Sequence, residues 1–121
     1  MKSLVLGKLE QEILSILWAS KKPLPVRAVL QKSKAEHAYT TVMTVMGRMV
    51  KKGILKRIKN GKSFDYTYTQ NKKEYANIHL GSIYDSLVNT YGELAISQFI
   101  DSVKEDRNNL KLIEEYLTKN E

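Results

Sequence analysis

Residues Tyr39–Gly53 read YTTVMTVMGRMVKKG and are the most informative part of this chain about its fold. Its apolar residues recur three and four positions apart, the spacing of one face of an α-helix. Those residues are Val42, Val45, Met46, Met49 and Val50. Gly53 predicts the end of the helix, because glycine readily adopts the left-handed conformation that terminates helices. The stretch therefore predicts an amphipathic helix whose apolar side is buried in the protein core.

The other side of this helix is polar and cationic, since Thr40, Thr44, Arg48 and Lys51 share a second face. Threonine hydroxyls can reach phosphates or base edges, and a guanidinium can form two hydrogen bonds with a guanine edge. This face therefore suits the major groove of DNA. An ordinary surface helix has the same periodicity, so the periodicity alone leaves both interpretations open.

The charge of the chain is unevenly distributed along its length. The net charge is +7, but residues 1–75 hold 16 Lys/Arg against 5 Asp/Glu, whereas residues 76–121 hold 4 against 8. Seven cations and no carboxylate lie between Arg48 and Lys62. We therefore expect only the front of the chain to meet a polyanion.

Composition excludes several classes of protein. The chain has no Cys, which excludes disulfides, thiolate metal sites and cysteine nucleophiles. Neither histidine has a ligand partner at helical spacing, and no catalytic motif is visible, so we expect no metal, no cofactor and no enzyme activity. Polar residues interrupt the first apolar stretch, and no apolar run is long enough for a membrane span. We expect a soluble cytoplasmic protein without membrane insertion.

Three helices are predicted in the front half. The first covers Leu9–Trp18, where leucine and isoleucine recur at helical spacing. Pro25 is expected at the first position of a short second helix, since its missing N–H would be unpaired there, and Arg27 points outward from that helix. The third helix is Tyr39–Lys52. Three helices with short connections, the last one basic, form a helix-turn-helix arrangement.

A basic hairpin follows the third helix. The period changes to two, which predicts strands over Ile54–Lys59 and Ser63–Thr69. Asn60-Gly61 predicts a tight turn with positive φ at both central residues. The cations beside the turn are Lys59 and Lys62. Alternate aromatic residues, Phe64, Tyr66 and Tyr68, are expected to pack the hairpin onto the helices, which we favour over base stacking.

The back of the chain is predicted to be helical and to form a dimer. A long helix over Glu74–Tyr91 is followed by two shorter ones, and their apolar faces are too large for a lone tail to bury. These apolar faces could instead pack onto the N-terminal domain of the same chain. We favour a twofold dimer, because it would also space two DNA-recognition helices along a duplex. The candidate dimerisation residues are Leu80, Ile83, Tyr84, Leu87, Val88, Tyr91, Phe99 and Ile100.

The fold class follows from these elements. We predict a mainly α protein with a small β-hairpin: a winged helix-turn-helix domain over residues 1–72 and a helical dimerisation domain over residues 73–121.

The segment Ala38–Met49, followed by Lys52-Gly53, closely resembles the recognition helix of the penicillinase-repressor family. The first helix and the wing, with Gly61-Lys62, are similar as well. The resemblance implies a homodimeric winged-helix repressor that binds an inverted-repeat DNA operator. It also implies that the groove is lined by Thr40, Thr41, Met43, Thr44 and Arg48. Adding the neighbouring residues, the full set of candidate DNA-binding residues is Arg27, Tyr39, Thr40, Thr41, Met43, Thr44, Arg48, Lys51, Lys59 and Lys62.

The resemblance also concerns induction. In the best-known members a membrane sensor for β-lactams triggers cleavage of the repressor at an Asn-Phe bond. The corresponding pair here is Gln98-Phe99, which departs from that pattern. The resemblance implies a sensor-linked protease as a partner and Gln98 and Phe99 as the candidate cleavage residues, whereas the departure from Asn-Phe argues against induction by cleavage.

Two other functions remain open from the sequence. A winged helix can be a protein-interaction module, since fold alone does not imply DNA binding. It can also be a non-specific architectural DNA-binding protein, which would bind all duplexes alike with a steep dependence on salt.

Overall fold

The computed structural model describes residues 6–119, which form six α-helices and a three-stranded antiparallel sheet. The elements are α1 Lys8–Ala19, β1 Leu24–Pro25, α2 Val26–Lys32, α3 Tyr39–Lys51, β2 Leu55–Asn60, β3 Ser63–Tyr68, α4 Lys72–Tyr91, α5 Glu93–Val103 and α6 Arg107–Lys119. The fold is mainly helical, and α1 to β3 make a winged helix-turn-helix, as the sequence predicts.

The apolar side of α3 lies at the centre of the core. Val42, Met46 and Met49 are buried against residues of α1, α2 and all three strands. The buried residues from those elements are Ile13, Leu14, Leu17, Leu24, Val26, Val29, Leu55 and Tyr66. Close packing of this kind fixes the rotation of α3 about its own axis, because turning the helix would expose methionine and valine to water.

The end of α3 is set by Gly53, as predicted. Gly53 has φ +78°, its N–H donates to the carbonyl of Val50 at 3.0 Å, and the Ile54 N–H donates to that of Met49 at 2.9 Å. These two bonds form a Schellman motif. The Thr69 hydroxyl donates to the Gly53 carbonyl at 2.7 Å, which joins the base of the hairpin to the end of the helix.

The prediction for Pro25 is wrong by one position, and a strand was missed. Helix α2 begins at Val26, whereas Pro25 is extended, with φ −71° and ψ 162°. Leu24 and Pro25 pair with Tyr66 and Asp65 of β3, so the sheet order is β1-β3-β2. Proline is tolerated in this edge strand because its missing N–H removes no essential sheet hydrogen bond. A two-residue strand has no alternation that a sequence could reveal.

The hairpin turn lies one residue later than predicted. Asn60 pairs with Ser63, so Gly61 and Lys62 are the two central residues. Gly61 has φ +65°, and no residue other than glycine has positive φ within the described part of the chain. A single positive φ, at a glycine in the first central position, is the requirement of a type II′ turn. The Asn60 side chain instead donates to the Asp65 carboxylate at 3.1 Å.

The packing predicted for the aromatic stripe is correct for two residues and wrong for the third. Tyr66 is buried and Tyr68 packs against the core, but Phe64 is 39% exposed. Phe64 lies beside the turn, outside the group of residues packed on the core, and its ring contacts Arg57.

The start of α4 is attached to α1. Asn71 and Glu74 cap the helix reciprocally, each accepting the other's backbone N–H at 2.8–2.9 Å. Trp18 donates its indole N–H to the Gln70 carbonyl at 3.0 Å and packs at 5.6 Å from the Tyr75 ring. Burial raises the pKa of the Tyr75 hydroxyl above its ordinary value, and the nearby Glu10 carboxylate adds to the effect.

The chain divides into two compact units that meet within α4, at Leu80 and Gly81. The predicted domain boundary lies earlier, between residues 72 and 73, in the first turn of α4. The outer limits of the two predicted domains, residues 1 and 121, lie outside the described residues. Every buried residue of the described chain belongs to the first unit.

The second unit contains the end of α4 together with α5 and α6. Gly92, with φ +60°, separates α4 from α5. Asp106 caps α6 by accepting the N–H groups of Asn108 and Asn109 at 2.9 and 3.2 Å. Among the described residues of these three helices none is buried.

The two sides of α3 should differ sharply in their effect on stability. Met46 is 0% exposed and Met43 is 43% exposed, so the two methionines form a matched pair on one helix. Met46→Ala should lower the free energy of unfolding by about 2–5 kcal/mol, whereas Met43→Ala should change it by less than about 0.5 kcal/mol. Urea unfolding followed by the fluorescence of Trp18, the sole tryptophan, measures both. Equal losses in the two variants would contradict this placement of α3.

Candidate nucleic-acid interface

The outward side of α3 presents polar and cationic groups. All seven of the candidate DNA-binding residues in this helix are exposed: Tyr39, Thr40, Thr41, Met43, Thr44, Arg48 and Lys51. They are available for contact because Val42, Met46 and Met49 occupy the buried side. Their roles on DNA stay predictions, but the helix holds them on one rigid element.

Two neighbouring lysines at the end of α3 have different environments. The Lys52 ammonium lies 3.3 Å from the Glu10 carboxylate of α1, so it is an ion-pair partner within the fold. In the described part of the chain no carboxylate pairs with Arg48 or Lys51. Their charges therefore remain uncompensated and can attract an anion.

The wing adds a second cationic surface. Lys56, Arg57, Lys59 and Lys62 are all exposed on the hairpin. Arg57 places its guanidinium 4.6 Å from the centroid of the exposed Phe64 ring, which is a cation–π contact. The ring supports the guanidinium while leaving it accessible to phosphate or to a groove.

Arg57 was not among the candidate residues predicted from the sequence. Its position follows from the strand register, which the sequence did not determine because the predicted turn lies one residue too early. Arg57 pairs with Tyr66 and Lys59 with Phe64, so all four side chains share one face of the hairpin. Arg57 and Phe64 are diagonal neighbours on that face.

The connection into α3 is attached to α1. The Ser33 hydroxyl donates to the Glu12 carboxylate, and the His37 Nε2 lies 3.7 Å from the same carboxylate oxygen. His37 therefore has a structural partner. The contacts of Glu12 fix where α3 begins relative to α1.

Arg27 is exposed on α2, as predicted, at the second residue of that helix.

The candidate dimerisation residues lie in α4 and α5. Tyr84, Leu87, Val88 and Phe99 line a groove of about 510 Å³ within the second unit, and the Tyr84 and Phe99 rings pack edge to face at 6.3 Å. Gln98 lines the same groove. The Gln98–Phe99 bond lies inside α5, so a protease would have to unwind part of the helix to cut it. The assignments of a dimer surface and a cleavage site stay predictions.

Two further features concern residues 6–119. No group of three His, Asp or Glu side chains in this range could hold a metal ion. No helix in the same range is long and apolar enough to cross a membrane.

The fold and the cationic face together define a class. A winged helix-turn-helix whose third helix buries one side and exposes threonines and unpaired cations on the other is a DNA-binding architecture. The family model described as "Penicillinase repressor" matches residues 6–119. The chain therefore belongs to the penicillinase repressor family, which is a family of transcriptional regulators and not of enzymes.

Individual relatives match over a shorter range. Two curated proteins, each called "Transcriptional regulator BlaI" and from two strains of Mycobacterium tuberculosis, are 35% identical over 71 residues. The match covers 57% of this chain and 51% of each relative, so the chain spans about half the length of the curated relatives it matches. The solved structure of a point mutant of Lactococcus lactis ZitR aligns with a TM-score of 0.48 and 16% identity, over 88% of this chain and 78% of that one. A likeness of that degree supports no conclusion about this chain.

The two adjacent lysines give a direct test of the interface. Lys51→Ala should weaken binding to any mixed-sequence duplex and reduce the slope of log affinity against log salt by about one per protomer, because one phosphate contact is lost. Lys52→Ala should leave that slope unchanged, since its charge is paired with Glu10. Fluorescence anisotropy over a salt series measures both variants. The opposite ranking would place the DNA on another side of α3.

Proposed function

We propose that this protein is a homodimeric repressor that binds an inverted-repeat DNA operator and thereby blocks transcription. The observation that carries the proposal is the two-sided α3, with methionine and valine in the core and threonines, Arg48 and Lys51 exposed. Membership of the penicillinase repressor family supports the same function.

Sequence selectivity requires contacts with base edges, and α3 carries suitable groups. Arg48 can form two hydrogen bonds with the O6 and N7 of guanine, and Met43 can contact a thymine methyl. The threonine hydroxyls can bind phosphates or bases. The wing cations Arg57, Lys59 and Lys62 suit the phosphate backbone, which would fix the orientation of α3 in the groove.

The dimer is supported by the apolar surface of the second unit. Leu87, Val88, Tyr84, Phe99 and Ile100 are each at least 40% exposed, although they are large and apolar. A continuous apolar surface of this kind is rare on a monomer and usually marks an interface. A second copy of the same chain would cover it symmetrically, and the two α3 helices could then read two half-sites.

Selection from a randomised duplex pool tests the function. The native protein should enrich an inverted repeat whose half-sites are separated by about one helical turn or a multiple of it. Arg48→Ala should lose the preference for guanine at one position of each half-site, at a cost of about 1–3 kcal/mol. Tight binding without enrichment would instead indicate an architectural protein. No binding at moderate salt would indicate a protein-interaction module.

The dimer surface is tested by placing a charge in the groove. Leu87→Asp should raise the dimer dissociation constant about a hundredfold or more, because an unpaired carboxylate would be buried. Asn89→Asp adds the same charge to the opposite side of α4, where it should leave the dimer intact. Sedimentation equilibrium measures both variants. A dimeric Leu87→Asp protein would place the interface elsewhere.

A further inference from the structure

A glycine, Gly47, occupies the middle of α3 on the side that carries the candidate DNA-binding residues, where it is half-buried. Gly47 lies between Thr44 and Lys51, three residues after the first and four before the second, on the same helix face. Except for proline, glycine is the least favourable residue in a helix interior. The position has ordinary helical geometry, since the positive-φ glycines are Gly53, Gly61 and Gly92.

Packing does not require a glycine at this position. A Cβ atom added to Gly47 would meet no atom of the described chain within 4 Å. Alanine would therefore fit at this position of the single chain and would favour formation of the helix. Any role of the missing side chain therefore concerns a group outside this chain.

The surroundings of Gly47 indicate what that external group is. The exposed residues one turn away are Met43, Thr44 and Lys51, and Arg48 is adjacent in sequence. These are the side chains proposed to contact DNA, so Gly47 forms a gap in the centre of that face. A glycine is used where backbone must approach a ligand closely.

We infer that Gly47 is the point of closest approach between α3 and the DNA, where the bare backbone meets base edges on the floor of the major groove. The glycine is a positioning residue: it sets how deeply α3 enters the groove and thus whether Arg48 and the threonines reach the bases. This inference rests on the proposed DNA-binding function, which the test below examines separately.

The test compares two glycines inside helices, Gly47, which is half-buried, and Gly81, which is exposed. Gly81 also lies inside a helix, α4, and a Cβ added there would likewise meet nothing within 4 Å. Gly47→Ala and Gly81→Ala should each raise the Tm by about 2–8 °C, because alanine favours the helix. Gly47→Leu serves as a bulkier variant that is also a good helix former.

DNA binding should separate the two sites. On the duplex that the native protein enriches from a random pool, Gly47→Ala should bind about tenfold more weakly, comparable with one mismatched base pair, and Gly47→Leu more weakly still. Affinity for a mixed-sequence duplex should change little, because phosphate contacts dominate non-specific binding. Gly81→Ala should match the native protein on both duplexes.

The outcomes distinguish failure of the inference from failure of the function. If the native protein is selective and both Gly47 variants keep its selectivity, the inference is wrong while the function stands. A lowered Tm for Gly47→Ala would show that the fold needs the glycine and would also overturn the inference. If the native protein itself enriches no sequence, the proposed function and the inference fail together.

Discussion

The burial of one side of α3 fixes the orientation of this helix in the core, and with it the position of every exposed group that the helix carries. Val42, Met46 and Met49 fill the centre of the first unit, so α3 cannot rotate without exposing them. The residues left outside are then fixed by helical geometry alone. Packing of the core therefore determines which side chains of α3 are exposed and available to a ligand.

The other elements of the first unit hold this helix at both ends. At its start, Glu12 of α1 binds Ser33 and His37 of the connection that leads into α3. At its end, the Schellman motif at Gly53 turns the chain directly into β2. The wing is thus joined to the same end of α3 as Arg48 and Lys51, which extends the cationic surface. Rigid placement of this kind favours selective recognition, because few groups must be ordered on binding.

Charge is divided between structural and available groups in the same region. Lys52 is held by Glu10, whereas Lys51 beside it has no carboxylate partner within the described residues. Arg57 is supported by an aromatic ring and not by a carboxylate, so its charge also remains uncompensated. Unpaired cations keep their attraction for phosphate, and this attraction is expected to supply much of the affinity for a duplex. The acidic second unit contributes none of these groups; its exposed apolar residues suit a protein partner instead.

The two faces of α3, the basic hairpin, the acidic C-terminal helices and the family could be predicted from the sequence, because they depend on local periodicity, local charge and a short motif. Folding was needed to establish that Leu24 and Pro25 form a strand, that the turn lies at Gly61 and Lys62, that Arg57 stacks on Phe64 and that Lys52 is paired. Each of these depends on a partner distant in sequence or on the exact strand register. Local patterns carry no information about such partners, since the contacts exist only once the core has brought the elements together.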